Sequence, residues 1–229
     1  LNGDGVEIDY SQALALFEAA GAQGDVFALS NLGYMAENGV GMAQDYEKAA
    51  NAYRQAAEGG DAYSQAGLAY LYEAGTGVPQ DYVEAARLYR LAADQGHAYA
   101  QAGLGYLYES GLGVPQDHVE AARLYQLAAD QGSDYAQNNL GYLYEMGLGV
   151  DRDPARAAEL YLASAGSGNV DAAGAFFHAF GAMLVDAKGN ITVKSDPVRQ
   201  AMEYYKRLMA FLPPDVPSWD DASNNKFLV

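Results

Sequence analysis

The sequence predicts an all-α solenoid of helix pairs, and three observations carry that prediction. Residue identities recur at a fixed 36-residue period, each period holds two stretches of helical apolar spacing, and turns built on Gly and Pro separate the stretches. Shifted by one period, residues 97–132 nearly overlay 61–96, and shifted the other way they overlay 133–168. Gly39, Gly75, Gly111 and Gly147 form one column, and Gly41, Gly77, Gly113 and Gly149 the next. Asp45, Asp81, Asp117 and Asp153 follow, then Tyr53, Tyr89, Tyr125 and Tyr161. A constant period of this size is the signature of stacked repeats. Such an array is stabilised mostly by contacts between nearest neighbours.

One unit explains the others. In 61–96, the residues Ser64, Leu68, Ala69, Leu71 and Tyr72 share one side of a first helix. Gly75 and Gly77 supply positions able to take φ > 0, and Pro79 cannot continue a helix. Asp81 reads as an N-cap, with Glu84 three residues on completing a capping box; Asp117 and Glu120 repeat it. The second helix buries Ala85, Ala86, Tyr89, Ala92 and Ala93, exposes Glu84, Arg87, Arg90 and Asp94, and stops at Gly96.

Taken in order, residues 1–24 read as a loop and second helix lacking their first helix. Units 25–60, 61–96, 97–132 and 133–168 follow, the first with Ala36 for the usual Tyr, the last with Pro154 at a first helical position. First helices are expected near 25–37, 61–73, 97–109 and 133–145, and second helices near 9–21, 45–58, 81–94, 117–130 and 153–166. Residues 169–212 read as a divergent capping helix pair with an insertion at 186–195, and 213–229 as an irregular tail. The whole of 1–229 is expected to form one solenoid. The chain opens without Met or an export signal, so an upstream extension is expected; a removed export signal and a truncation explain it equally.

The pattern A-x-x-x-L-G-x-L-Y-x-x-G-x-G-V-P-x-D-x-x-x-A-x-x-x-Y-x-x-A-A-x-x-G resembles the Sel1-like repeat family. Ala100, Leu104, Gly105, Leu107, Tyr108, Gly111, Gly113, Val114, Pro115, Asp117, Ala121, Tyr125, Ala128, Ala129 and Gly132 all sit on it. The resemblance implies a right-handed α/α superhelix of antiparallel, tetratricopeptide-related helix pairs, with first helices lining a concave surface. It also implies a protein-binding scaffold, of a kind found in bacterial cell envelopes and signalling assemblies. Tyr72, Tyr108 and Tyr144, with Tyr53, Tyr89, Tyr125 and Tyr161, match the family's core positions.

Charge narrows the partner. Thirteen basic and thirty acidic residues give a net charge of −17. That balance argues against nucleic acid, which needs clustered Lys and Arg, and favours a basic or neutral protein or peptide. No window is long and apolar enough for a transmembrane helix. The absence of Cys rules out disulfides and thiol catalysis but leaves the compartment open, a periplasmic or secreted site being favoured over the cytoplasm.

No cofactor, metal or catalytic set stands out. His97, His118 and His178 lack metal-ligand spacing, and His97 and His118 occupy positions that vary between repeats, as surface positions do. The segment Asn2-Gly3-Asp4-Gly5 fits a calcium loop poorly, since Ser11 falls where a bidentate Glu is needed. Gly-x-Gly recurs between helices, never after a strand, which fails the context of a nucleotide site. The alternative to a scaffold is a hydrolase related to the β-lactam-binding members of the family, but this chain has none of that subgroup's cysteines.

The candidate site is aromatic. Opposite the buried side of each first helix lie Phe27 and Tyr34, Tyr63 and Tyr70, Tyr99 and Tyr106, then Tyr135 and Tyr142. Between the two rows, Asn31, Gly67, Gly103 and Asn139 vary. The residues Glu37, Glu73, Glu109 and Glu145 form a further column, read either as an acidic rim for a basic partner or as a solvated helix end.

Overall fold

The computed structural model describes residues 9–166. Among the described residues the secondary structure is nine α-helices and no strand. They are α1 (Tyr10–Gly21), α2 (Val26–Asn38), α3 (Tyr46–Glu58), α4 (Ala62–Ala74), α5 (Tyr82–Asp94), α6 (Ala98–Ser110), α7 (His118–Ala129), α8 (Asp134–Met146) and α9 (Pro154–Gly166). The fold is an all-α solenoid of helix pairs. The expected capping pair 169–212 and tail 213–229 lie outside the described residues, as do Asn2-Gly3-Asp4-Gly5 and His178.

Backbone contacts gather the chain into two compact units, one ending at Gln131 and one beginning at Gly132. In the first, each of α1 to α7 packs on its neighbours in sequence, and α2 also meets α4 as α4 meets α6. The first helices of adjacent repeats therefore lie side by side. In the second unit, α8 packs on α9.

Each helix starts and stops where its local chemistry dictates. Asp9, Asp25, Asp45, Asp61, Asp81 and Asp117 accept backbone N–H bonds as N-caps. Asp153 does the same for α9, accepting from Ala155 N and Arg156 N. The capping boxes expected at Asp81 and Asp117 form only by half. The Asp81 N–H is already given to the Tyr72 carbonyl and that of Asp117 to Tyr108. Glu84 and Glu120 turn instead to Arg87 and Arg123, which donate to them through two nitrogens each.

First helices α2, α4, α6 and α8 end on Gly39, Gly75, Gly111 and Gly147, at φ 67–71°. The last carbonyls are then taken up by a side chain seven residues on. Gln44, Gln80 and Gln116 donate Nε2 to the Glu37, Glu73 and Glu109 carbonyls, and Arg152 donates Nε to that of Glu145. Gly77 and Gly113 carry a second constraint. A Cβ on either would run into the first residue of the preceding repeat's second helix, at the Tyr46 and Tyr82 carbonyls.

The core is small residues around large ones. Alanines such as Ala49, Ala69, Ala85 and Ala121 are fully buried, so neighbouring helices approach closely around Tyr53, Tyr89, Tyr125 and Tyr161. Glycines make room for these rings. A Cβ at Gly33 or Gly67 would meet the Tyr53 ring, one at Gly103 that of Tyr89, one at Gly105 that of Tyr125 and one at Gly141 that of Tyr161. Two assignments need correction. Tyr72, Tyr108 and Tyr144 are only half-buried. Leu88, left out of the expected buried face, is 3% exposed. Buried Gln65 and Gln101 each tie the first helix of a repeat to the end of its own second helix, accepting from Gln95 and Gln131 at 2.8 Å.

Candidate functional site

The aromatic pairs sit seven residues apart, two turns of one helix, so both members of a pair share a face. Within the first unit, Phe27, Tyr34, Tyr63, Tyr70 and Tyr99 are exposed, Tyr99 to 51%, and Tyr106 is half-buried. In the second unit, Tyr135 and Tyr142 are exposed on α8 beside half-buried Asn139. The exposed members of these pairs range from 38% for Tyr34 to 71% for Phe27.

The inner half of each ring is not idle. Tyr63 sits edge-on to Tyr53 at 6.1 Å and to His97 at 6.2 Å. Tyr99 sits edge-on to Tyr89 at 6.2 Å and to Tyr70 at 6.5 Å. Phe27 meets Phe17 the same way. Edge-to-face pairs at these distances are each worth about 0.5–1.5 kcal/mol beyond area burial. The aromatic face thus stiffens the array as well as presenting surface. Gly67 and Gly103, read as variable positions between the rows, are small because the Tyr53 and Tyr89 rings lie against them. Asn31, in the same column, donates to the Phe27 carbonyl.

The Glu column is built into the fold. The hydroxyls of Tyr53, Tyr89, Tyr125 and Tyr161 donate to Oε2 of Glu37, Glu73, Glu109 and Glu145 at 2.7–2.8 Å. Glu145 is buried and the other three are half-buried, which departs from a solvated helix end. The offset is sixteen residues in every repeat, linking a first helix to the second helix after it. Two columns at a constant offset were the available signal, but pairing them requires the angle between the helices.

Burial sets the protonation of these groups. It pushes the phenols of Tyr53, Tyr89 and Tyr161 far up, with the adjacent carboxylates adding to the effect. Tyr63 is raised, again by burial, and Tyr99 is pushed up to about 12. Burial also raises Glu73 above the usual carboxylate range, against the pull of the Tyr89 hydrogen bond.

His97 departs from the expectation of a surface residue. It is half-buried and caps α6, its Nδ1 accepting from Ala100 N at 3.4 Å. Burial lowers its pKa, with Asp61 pulling the other way. The position varies among Asp25, Asp61, His97 and Ser133 because each offers an acceptor to the same N–H. His118 is half-buried at the start of α7. Among the described residues, no group of three His, Asp or Glu could hold a metal ion, and no helix is long and apolar enough to cross a membrane.

The sequence pattern of the Sel1 repeat matches residues 1–25, 26–61, 62–97, 98–133 and 134–169. Solved structures agree. A protective antigen present in uropathogenic Escherichia coli strains, displaying an SLR fold, is 33% identical with a TM-score of 0.72. That match covers 90% of this chain and 42% of the antigen, so this chain spans less than half of the antigen's length. A Sel1 repeat protein from Oxalobacter formigenes is 32% identical with a TM-score of 0.71, over 86% of this chain and 75% of that one. An immunity protein from Pseudomonas aeruginosa, 23% identical with a TM-score of 0.51 over 92% of this chain and 78% of its own, shares the fold. A comparison with curated proteins gives no significant match. Sel1 repeats generally mediate protein–protein interaction. With five repeats matched over most of its length, the chain belongs to the Sel1 repeat family.

Proposed function

We propose that this chain is a non-catalytic scaffold that holds a basic or neutral protein or peptide segment on the aromatic face of its first helices. The observation behind this reading is the recurrence of exposed aromatic pairs: Phe27 and Tyr34 on α2, Tyr63 and Tyr70 on α4, and Tyr99 with half-buried Tyr106 on α6. Tyr supplies a large rigid area and a polar tip, which is why it dominates binding hot spots. The first helices of adjacent repeats lie side by side, at a spacing of about 10 Å for packed helices. A segment running across them meets one aromatic pair per repeat. Tyr135 and Tyr142 offer the same pair on α8.

The test uses the partner captured by the purified chain from a lysate of its native organism. Tyr70→Ala with Tyr106→Ala is expected to weaken that complex by at least about tenfold, the scale of two lost hot-spot contacts, while the loss of the Tyr70–Tyr99 contact and of Tyr106 packing lowers the melting temperature without abolishing the cooperative fold. Leu91→Ala with Leu127→Ala, exposed on second helices α5 and α7, should leave binding unchanged. If the tyrosine pair leaves binding untouched while the leucine pair abolishes it, the partner uses the second-helix side. For the non-catalytic part of the reading, turnover of a chromogenic β-lactam well above background is the contrary result.

A further inference from the structure

The first unit segregates its charges by helix layer. From Asp25 through α2, α4, α6 and the turns that follow them, the charged side chains are Asp25, Glu37, Asp45, Asp61, Glu73, Asp81, Glu109 and Asp117, with no Lys or Arg. The basic residues of this unit, Lys48, Arg54, Arg87, Arg90 and Arg123, all lie on second helices α3, α5 and α7. The charged side chains of the first-helix layer are thus all acids, and His97 sits among them, edge-on to Tyr63.

The hydroxyls beneath the aromatic face are given to those acids: Tyr53 donates to Glu37 and Tyr89 donates to Glu73. The exposed Tyr63 and Tyr99 rings meet these two rings edge-on at 6.1 and 6.2 Å. Each exposed ring carries a phenol oxygen with lone pairs able to accept from a partner's donor.

Ring faces backed by carboxylates, with acceptor oxygens at their edge, suit a cation. Among the described residues the chain uses this pairing within itself. Arg90 lies over the Tyr108 ring at 5.8 Å and donates to its hydroxyl at 2.7 Å.

We infer that the aromatic face of α2, α4 and α6 binds an extended basic segment, taking arginine or lysine side chains against Tyr63, Tyr70 and Tyr99. This rests on the scaffold reading above and narrows its partner from basic or neutral to cationic. A polyproline II strand repeats every three residues, about 9.3 Å, close to the roughly 10 Å between packed helices. A cation at every third residue then reaches one repeat after another.

The probes are three fluorescent proline-rich peptides of about twelve residues, long enough at about 3.1 Å per residue to cross three repeats. They carry Arg, citrulline or Glu at every third position, and anisotropy at low salt reads the affinity. The Arg peptide is expected to bind at least about tenfold tighter than the citrulline peptide, and the Glu peptide not at all. Tyr63→Phe with Tyr99→Phe keeps both rings and removes both acceptors. It should weaken the Arg peptide by about threefold or more with an unchanged melting temperature. Glu47→Gln with Glu58→Gln, on α3, should leave it within about twofold, which separates the face from general attraction to an acidic protein. Loss in the α3 variant with none in the phenylalanine variant would overturn the inference. So would equal affinity for the three peptides, or binding of none of them. If the captured partner is lost on Tyr70→Ala with Tyr106→Ala while these peptides fail to discriminate, the scaffold reading stands and the cationic one falls.

Discussion

At the scale of single residues, the tyrosine–glutamate bonds make the sharpest predictions. Glu73 is half-buried, and its pKa is raised by burial. Its charged form therefore costs the folded state. The associated stability is fully present below the carboxylate's unfolded value of 4.5 and is lost as pH rises through the folded value. Glu73→Gln keeps an acceptor for Tyr89 and removes the charge. It is expected to melt at or above the parent temperature at pH 7 and to flatten the pH dependence; a fall of several degrees would contradict this. Tyr89→Phe should do the reverse, leaving a desolvated carboxylate without its donor at a cost of about 1–2 kcal/mol in denaturant unfolding. His97 has the opposite sign. Its folded pKa is lowered, so its stability is present above the unfolded value of 6.5 and drains as pH falls below it. His97→Asp restores the cap used by Asp25 and Asp61 and should abolish that loss between pH 7 and 5.5, read as melting temperature against pH. These roles were hidden in the sequence because variation from Asp to His to Ser looks like surface drift. What is shared among them is an acceptor atom, which residue identity conceals.

At the scale of the element, sequence was a better guide. The alternation of apolar spacing, Gly turn and Asp cap located all nine described helices, each displaced by about one residue because the cap had been counted as helix. The glycine columns were legible as turns, and Gly75, Gly111 and Gly147 do take φ of 68–71°. The second column was not fully legible. Gly77 has φ +72° and also faces the Tyr46 carbonyl, whereas Gly96 has φ +85° and open space around it. Gly96→Ala is therefore expected to cost about 1 kcal/mol, for backbone strain alone. Gly77→Ala should cost about 2–4 kcal/mol, since overpacking adds to strain. Equal losses in chemical denaturation would mean that the contact with Tyr46 carries no weight. The capping boxes show the limit of local motifs. Glu84 sits at the right spacing, but the N–H it would serve is already bound by Tyr72, a residue nine positions upstream.

At the scale of the whole molecule, the repeat register governs. Tyr53 lies in a slot between Gly33 and Gly67, and Gly103 occupies the same repeat position as Gly67. Deleting residues 61–96 brings Gly103 to the place of Gly67 and preserves the Tyr–Glu pairing on both sides of the junction. The shortened chain is expected to unfold cooperatively at a lower temperature, as neighbour-stabilised arrays do. Deleting thirty residues from 61–90 breaks that register and should leave a non-cooperative melt by circular dichroism. The family and its helix pairs were readable from a period and a motif, but the use made of the aromatic face depends on which rings remain half in water, and only packing decides that. The central claim is that partners meet the first helices there. The most direct measurement is the tyrosine ring NMR spectrum of the chain with and without its captured partner. The account predicts shifts at Tyr63, Tyr70, Tyr99 and Tyr106, with Tyr46 and Tyr82 at the starts of α3 and α5 unmoved. Shifts at Tyr46 and Tyr82 with the first-helix rings unchanged would contradict it.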